Sequence, residues 1–230
     1  MNDNATTVMR LLAFTDSAFP VGTFAFSGGL ETAADIGAVY DEATLEEYVR
    51  DMAAQAAFTD GIAALQAYRA AVAGDYDTML QADRYVVLCK MNAEARSMTR
   101  RMGRKMVELS QRIFYDAALS RFYDDIRRDT TPGTYPVAQA ALFAACGISE
   151  RNLFCSHQYG VINMILGAAL RTLRVSHYQT QRIMFDASGP IESLYEEVRE
   201  LGFDDMCAFS PHADIIASLH EKGVKRMFMN

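Results

Sequence analysis

The run NLFCSHQYGVINMILGAAL, residues 152–170, carries no charged side chain. Its length would suffice for a helix that crosses a lipid bilayer. Several of its side chains are polar, however, and hydrocarbon solvates such groups poorly: Asn152, Ser156, His157, Gln158 and Asn163. A helix that is surrounded by other helices is also apolar on all sides. We therefore predict that this run is the buried central helix of the fold.

The segments before this run show helical spacing of their apolar residues. In LEEYVRDMAAQA, residues 45–56, the apolar positions repeat at intervals of three and four. Gly74 predicts the end of a helix because glycine is common just beyond a helix C-terminus. Asp75 or Asp77 then predicts the start of a long helix that runs past Ile113.

The fold class follows from this pattern. No long stretch alternates with period two, no repeat is evident, and no linker is long enough to separate domains. We predict an all-α protein with one domain over residues 1–230, a helical bundle of roughly eight to ten helices at the usual ~10–14 residues each. Residues 1–6 and 222–230 are expected to be flexible tails in the free state.

The charge and cysteine content of the 230-residue chain limit its function and location. A formal net charge of −7 argues against general nucleic-acid binding and against a surface for anionic lipid. Four cysteines are scattered without a CxxC pair, and the first ten residues lack the pattern of a signal peptide. We expect a cytoplasmic protein with reduced thiols.

The predicted long helix has two contrasting sides. A methionine-rich apolar stripe follows one side, and Gly103 lies at its edge, where a missing side chain permits close helix contact. The stripe comprises Met91, Ala95, Met98, Met102, Met106, Leu109 and Ile113. Six basic residues cover the opposite half of the cylinder: Lys90, Arg96, Arg100, Arg101, Arg104 and Lys105.

The basic side is unusual for so acidic a chain. With Glu94 as its one acid, the segment 90–105 has a net charge of +5, so the other residues carry −12. A solvated helix face more often mixes both signs. Two interpretations stay open: these bases face a partner, or they pair with the acidic remainder of the chain.

Nucleotide and metal sites find little support. There is no GxxxxGK[ST] motif, and Gly28-Gly29 does not follow a predicted strand as a phosphate loop must. The four histidines are not at i,i+4 spacing from one another, and Cys155-x-His157 alone cannot enclose a metal ion. We expect no metal or cofactor bound directly by this chain.

Nucleophilic catalysis is a weak alternative. Ser17 or Ser27 could act as a nucleophile only with a histidine within hydrogen-bond reach, and neither serine has a nucleophile-elbow pattern around it. Ser27 is better explained as the N-cap of a short helix that contains Leu30 and Glu31. A serine hydrolase therefore remains the least favoured of the functions considered.

The connector DSAFPVGTFAFSGGLE, residues 16–31, carries three aromatic side chains in a position where a loop is usually polar. We interpret Phe19 and Phe24 as anchors that pin the loop onto the helices, or, alternatively, as core residues. Pro20, Gly22 and the glycine pair at 28–29 let the backbone follow a tight path. A pinned aromatic loop suits partner binding because little entropy remains to be lost.

This connector resembles the N-terminal signature of UreF-type urease accessory proteins. The matching residues are Asp16, Ser17, Pro20, Gly22, Ser27, Gly29, Leu30 and Glu31. Three later landmarks are similar to the family pattern and occur in the same order. They are Glu94-x-Arg96 followed by Arg101-Met102-Gly103, then Gln181-Arg182-Ile183, and finally Ser218-Leu219-His220-Glu221 with Arg226-Met227-Phe228.

The resemblance implies an all-helical, non-enzymatic protein that usually forms a homodimer. Such a protein binds a UreD (or UreH) scaffold and through it the UreG GTPase, and the assembly delivers nickel to apo-urease. It influences GTP hydrolysis on its partner, so nickel and GTP are handled by partner subunits. Neither nucleic acid nor membrane is an expected partner. A helical adaptor for another GTPase or metallocentre is the alternative.

The resemblance also indicates which residues meet the partners. By position, the scaffold surface is expected near Phe24, Arg226 and Phe228, and the basic residues Arg96, Arg100, Arg101 and Arg104 are candidates for a second contact. The sequence departs from the family pattern at Phe26, where histidine or tyrosine is usual, and at Ser176-His177-Tyr178.

Overall fold

The described part of the chain contains helices and connecting turns and no strand, which confirms the predicted all-α class. The computed structural model describes residues 4–208, 210–220 and 227–229, and of residues 211–214 it describes the backbone alone. The helices are α1 (Ala5–Thr15), α2 (Leu30–Asp35), α3 (Glu42–Ala56), α4 (Ile62–Ala73), α5 (Tyr76–Cys89), α6 (Ala93–Ile113), α7 (Ala117–Arg127), α8 (Tyr135–Ala145), α9 (Glu150–Thr172), α10 (His177–Ser188), α11 (Ile191–Val198) and α12 (Pro211–His220).

Helix α9 is the central helix that the charge-free run predicts. It packs against α2, α3, α8 and α10, and more than half of its most apolar stretch is buried. Length and composition alone would let it cross a membrane. Its polar groups instead find protein partners: the Ser156 hydroxyl lies 2.7 Å from Thr15 Oγ1 and accepts a hydrogen bond from Gln139 at 2.9 Å. The helix is therefore part of the core of the fold.

The core has two main parts, which meet along α9. Helices α4 to α8 surround one cluster, in which Phe122 and Phe143 are fully buried. Helices α2, α3, α9 and α10 enclose the other, which also takes in Phe228 from the end of the chain. A C-terminal side chain thus belongs to the core beside the central helix.

The predicted long helix is in fact two helices, α5 and α6, so the expectation of one continuous helix from Asp75 past Ile113 is wrong. Lys90 has an extended backbone conformation, and the Asn92 side chain accepts a hydrogen bond from the Ala95 amide at 2.7 Å. Asn92 is thereby a new N-cap. Additional breaks of this kind give twelve α-helices in the described residues rather than eight to ten.

The buried face of α6 is rotated away from the predicted methionine stripe. Met102 and Met106 are buried, whereas Met91 and Ile113, at the ends of the stripe, are mostly exposed. Small residues on the neighbouring side are buried in their place: Thr99, Gly103 and Ser110. The rotation brings α6 against the loop before α8, as predicted for close contact at Gly103.

The loop before α8 explains this close approach. A Cβ atom built on Gly103 would lie 2.2 Å from the carbonyl oxygen of Gly133, so only glycine fits there. The buried Asp83 carboxylate holds the same loop, accepting hydrogen bonds from the Gly133 and Thr134 amides at 2.7 Å each. Because Asp83 belongs to α5, it joins α5, α6 and α8 around one loop.

Candidate partner-binding site

The loop between α1 and α2, residues 16–29, lies against α9 and is named the signature loop below. Phe19 packs edge-on against Phe14 with ring centroids 5.4 Å apart, so it acts as the predicted anchor. Val21 and Phe26 are also buried. Phe24 is 77% exposed, so the alternative that it is a core residue is wrong, but its ring lies against Arg171 of α9. Phe26 takes the apolar position in its place.

Glycine is required where the signature loop joins α2. Gly29 has a φ of +85°, and a Cβ atom there would lie 2.9 Å from the Tyr48 hydroxyl. That hydroxyl donates a hydrogen bond to the Gly28 carbonyl oxygen at 2.6 Å. Ser27 accepts a hydrogen bond from the Glu31 amide at 3.4 Å, as expected of a capping residue, although Gly29 occupies the N-cap position itself.

A buried acid–histidine–acid cluster joins three distant parts of the sequence, and we call it the clasp. Its members are Glu31 of α2, Glu94 of α6 and His220 of α12. His220 Nδ1 lies 2.6 Å from Glu94 Oε2, and its Nε2 lies 3.0 Å from Glu31 Oε2. The imidazole therefore bridges the two carboxyl groups, one through each ring nitrogen.

Glu31 also binds the C-terminal segment, residues 227–229. It accepts hydrogen bonds from the backbone amides of Met227 at 2.6 Å and Phe228 at 3.1 Å. Burial raises the pKa of Glu31, but these two amides and His220 more than offset the effect, and its pKa lies below the ordinary value. Glu31 therefore stays ionised in its buried position.

Arg171, in the last turn of α9, lies between two aromatic rings. Its guanidinium carbon is 3.9 Å from the ring centroid of Phe24 and 4.1 Å from that of Phe228. The guanidinium also donates a hydrogen bond to the Phe24 carbonyl oxygen at 3.1 Å. Cation–π contacts of this kind hold both rings against one charge. Arg171 thus joins the signature loop to the C-terminal segment.

A backbone hydrogen bond completes this connection. The Met229 amide donates to the Ala25 carbonyl oxygen at 2.8 Å. Around the contact, Phe24, Met227 and Met229 expose more than half of their surfaces. The result is an apolar surface on a backbone that is held at several points.

The structure brings together most of the residues that the sequence singled out. Phe24 and Phe228 meet at Arg171, whereas Glu31, Glu94 and His220 form the clasp behind them. Phe228 is buried, so its contribution is to fix the C-terminal segment rather than to face a partner. Two further candidates, Glu221 and Arg226, lie outside the described residues.

Other motif residues shape the signature loop. The Asp16 carboxylate accepts a hydrogen bond from the Ala18 amide at 2.6 Å, which closes the turn after α1. Ser17 and Pro20 are exposed on this turn, and Leu30 is fully buried at the start of α2. Gly22 has a φ of +91°, a backbone conformation that favours glycine.

The predicted basic side of α6 divides into internal and exposed parts. Lys90 is mostly buried and pairs with Asp60 at 2.7 Å, and Lys105 lies 3.4 Å from Glu108. For these two bases the second interpretation is correct, since they pair with acidic residues of the same chain. The exposed bases are Arg100, Arg101 and Arg104, and the half-buried Arg96 donates to the Lys90 carbonyl oxygen at 2.6 Å.

Sequence reasoning missed two charged sites. Arg171 directly follows the charge-free run, and its position there was the available signal. The second is the buried pair of Lys90 and Asp60, with His157 Nε2 at 3.8 Å from Asp60. Burial lowers the pKa of His157 to about 4. Among the described residues, neither ring nitrogen of His157 has a hydrogen-bond partner.

The described residues offer little for metal chemistry or serine catalysis. They contain no group of three histidine, cysteine, aspartate or glutamate side chains placed to hold a metal ion. Both nitrogens of His220 are engaged by carboxylates, so this histidine cannot serve Ser17 or Ser27 as a base. The arrangement can bind and orient, through exposed apolar groups and arginines.

Comparison with known proteins agrees with these landmarks. A family model described as UreF matches residues 39–188. The urease accessory protein UreF 2 of Brucella canis is 45% identical over 223 residues, which cover 97% of this chain and 92% of that relative. The chain belongs to the UreF family. The urease accessory protein UreF of Yersinia pseudotuberculosis serotype IB is 41% identical over 228 residues, covering 99% of this chain and all of that protein.

The two comparisons cover different parts of this UreF-family chain. The family model spans α3 to α10 in full, but neither the signature loop nor the C-terminal segment. The relatives align over nearly the whole length of the chain. Membership of the UreF family therefore does not depend on the end motifs that first indicated it.

Proposed function

We propose that this protein is a non-enzymatic maturation factor of the cytoplasm that acts on urease. It binds a UreD- or UreH-type scaffold, recruits the UreG GTPase, and so supports nickel insertion into apo-urease. Nickel and GTP are bound by the partner subunits, and this chain modulates GTP hydrolysis through contact. It works as a homodimer with one domain per chain. The expectation of flexible tails is not kept, because residues 5 and 6 belong to α1 and residues 227–229 are held against the fold.

The observation that carries this proposal is the joining of the signature loop and the C-terminal segment at Arg171. Phe24 is 77% exposed, yet its backbone is held by Arg171 and its neighbour Ala25 by Met229. Exposed aromatic and methionine side chains on a fixed backbone are typical of protein-binding surfaces. The surface loses little conformational entropy when a partner binds, which favours affinity.

The membership of the UreF family supports the choice of partner. The relatives from Brucella and Yersinia carry the name urease accessory protein, and the signature loop lies within the aligned length. We therefore assign the Phe24 surface to the scaffold subunit. Arg226, which the resemblance also places there, is assigned to the same contact.

The test is co-purification with the scaffold subunit. We expect Phe24→Ala to weaken scaffold binding by at least about tenfold, the effect of a central aromatic contact. Phe185→Ala is the matched control, because Phe185 is equally exposed, at 78%, on the separate helix α10. Equal binding by wild type and Phe24→Ala, or equal losses in both variants, would contradict the assignment.

A second variant separates the surface from the fold. Arg171→Ala removes the cation between the two rings and the hydrogen bond to the Phe24 carbonyl. We expect the same loss of scaffold binding with an unchanged helical circular-dichroism spectrum. We expect Arg226→Ala to lose scaffold binding in the same way. Scaffold binding that survives both arginine changes would place the contact elsewhere.

A further inference from the structure

Four arginines of α6, Arg96, Arg100, Arg101 and Arg104, line two adjoining depressions, which together we call the arginine cleft. Its first part, with a volume of about 480 Å³, lies between α6 and the loop before α8. Arg100, Arg101 and Arg104 line it together with residues 129–132. Its second part, of about 340 Å³, is lined by Arg96, Arg100 and Arg101 with small neighbours. Arg100 and Arg101 belong to both.

The positive charge of this cleft is poorly compensated. Asp129 is the one carboxylate in its described lining, and it lies 3.6 Å from Arg104. Arg101 contacts Met229 Sδ at 3.2 Å, which is not a charge partner. Arg100 has no hydrogen bond or ion pair within the described part of the chain. Arg100 is therefore free to bind an anion, and the three neighbouring arginines add positive charge around it.

We propose that the arginine cleft binds a carboxylate-rich segment of a protein partner. Guanidinium groups bind carboxylates through paired, parallel hydrogen bonds, so arginine suits this ligand better than lysine. From Arg96 to Arg104 the cleft follows eight residues of helix, about 12 Å at 1.5 Å per residue. That length accommodates a short acidic helix or strand with three or four carboxylates.

The negative charge on the rest of the molecule favours a short acidic segment over a long polyanion as the ligand. Outside residues 90–105 the chain carries −12, which repels a nucleic acid or an anionic membrane that extends beyond the cleft. A short acidic segment meets only the local positive charge.

The cleft also adjoins the proposed scaffold surface. Arg101 contacts Met229, whose amide is bonded to Ala25 of the signature loop. A partner on the Phe24 surface could therefore extend an acidic segment into the cleft. This inference rests on the proposed function for the identity of the partner, but not for the chemistry of the ligand.

The experiment measures binding of a fluorescein-labelled octaglutamate peptide to the full chain by anisotropy. We expect Arg100→Glu with Arg104→Glu to weaken binding at least tenfold, and wild-type binding to weaken as salt rises from 50 to 300 mM. Arg10→Glu with Arg84→Glu is the control, since it changes the net charge equally on exposed residues outside the cleft. Equal losses in the two double variants would overturn the proposal.

Two further binding measurements test the location of the site and the choice of ligand. Arg104 also donates a hydrogen bond to the Ile126 carbonyl, so Arg100→Glu alone is measured as a variant that disturbs no observed contact. It should weaken peptide binding about threefold or more, and no change would contradict the cleft. A labelled octathymidylate that binds as tightly as the peptide would contradict the choice of carboxylates.

The same variants separate this inference from the proposed function. Purified scaffold and GTPase subunits are offered to wild type and to Arg100→Glu with Arg104→Glu. Wild type that binds neither subunit contradicts the proposed function, whatever the peptide result. Subunit binding that is equal in both proteins contradicts the cleft alone. Loss of one subunit in the variant, with the helical spectrum retained, supports the inference and identifies the partner.

Discussion

Two buried histidines, His157 and His220, occupy opposite electrostatic environments. Their exposed fractions are 2% and 4%, so burial is nearly the same. His220 lies between the Glu31 and Glu94 carboxyl groups, with one ring nitrogen within hydrogen-bond distance of each. His157 has no hydrogen bond in the described structure, and its nearest carboxylate is 3.8 Å away on Asp60.

The difference shows that the neighbours of a buried ionisable group, rather than burial itself, decide its role in the fold. Two carboxyl groups bind the ring nitrogens of His220 and make it a link between α2, α6 and α12. Asp60 is already paired with Lys90, so it offers little to His157, and the imidazole stays neutral. His220 joins the ends of the chain, whereas His157 makes the core sensitive to acid.

The largest expected effect comes from removing the clasp carboxylate. Glu31→Ala leaves His220 with one acceptor fewer and two backbone amides without theirs, all in a buried site. We expect the free energy of unfolding to fall by about 3–5 kcal/mol, the cost of breaking a buried ion pair. Urea denaturation followed by circular dichroism measures it.

The matched control is Glu47→Ala, since Glu47 is an exposed residue of the neighbouring helix α3. That change should stay within about 0.5 kcal/mol of wild type. A cost for Glu31→Ala no larger than that of Glu47→Ala would show that the clasp does not hold the ends together.

The second-largest expected effect is a pH dependence of the unfolding free energy that comes from His157. Its pKa is about 4 in the fold and near 6.5 in the unfolded chain, so between these values the unfolded chain binds the extra proton. Unfolding free energy therefore falls as the pH drops from 6.5 to 4. The loss is about 3 kcal/mol at about 1.4 kcal/mol per pKa unit.

Comparison with His157→Leu isolates this term from the acidic residues that also titrate. Denaturation of both proteins between pH 7 and pH 4 should show the wild type losing about 3 kcal/mol more than the variant. Parallel pH profiles for the two proteins would mean that His157 is not the acid-sensitive group.

The smallest expected effect comes from replacing the other histidine. His220→Gln keeps a donor for one carboxylate but turns its amide oxygen toward the other, so one hydrogen bond to a carboxyl group is lost. We expect a cost of about 2 kcal/mol at pH 7, typical of a hydrogen bond to a charged group. His177→Gln, at an exposed position, should cost less than about 0.5 kcal/mol. Equal stability of the two variants would contradict a link at His220.

Local signals in the sequence predicted much of the fold. Gly74 ends a helix and Asp75 begins one as expected, because a cap depends on the few residues around it. The break between α5 and α6 was missed because the helical spacing continues across it. Asn92 caps the new helix with a side chain that a helix interior also tolerates.

The sequence motifs of the candidate site could be recognised, but their contacts in space could not be predicted. The family pattern pointed to Glu31, Glu94 and His220 separately, and nothing in their spacing showed that they touch. Phe24 was interpreted as an anchor or, alternatively, as a core residue, and it lies on the surface because Phe26 takes the buried position. Arg171 was not predicted as a contact at all.

The sequence by itself determined the all-α class, the central helix and the family, since helical spacing, capping residues and ordered motifs are properties of the chain. The tertiary structure alone decided which charges are paired. Lys90 is paired internally and Arg100 is free in the described structure, and His220 contacts two carboxyl groups while His157 has a hydrogen bond to none. The physical reason is that electrostatic energy depends on distance and burial in space, which residue order does not specify.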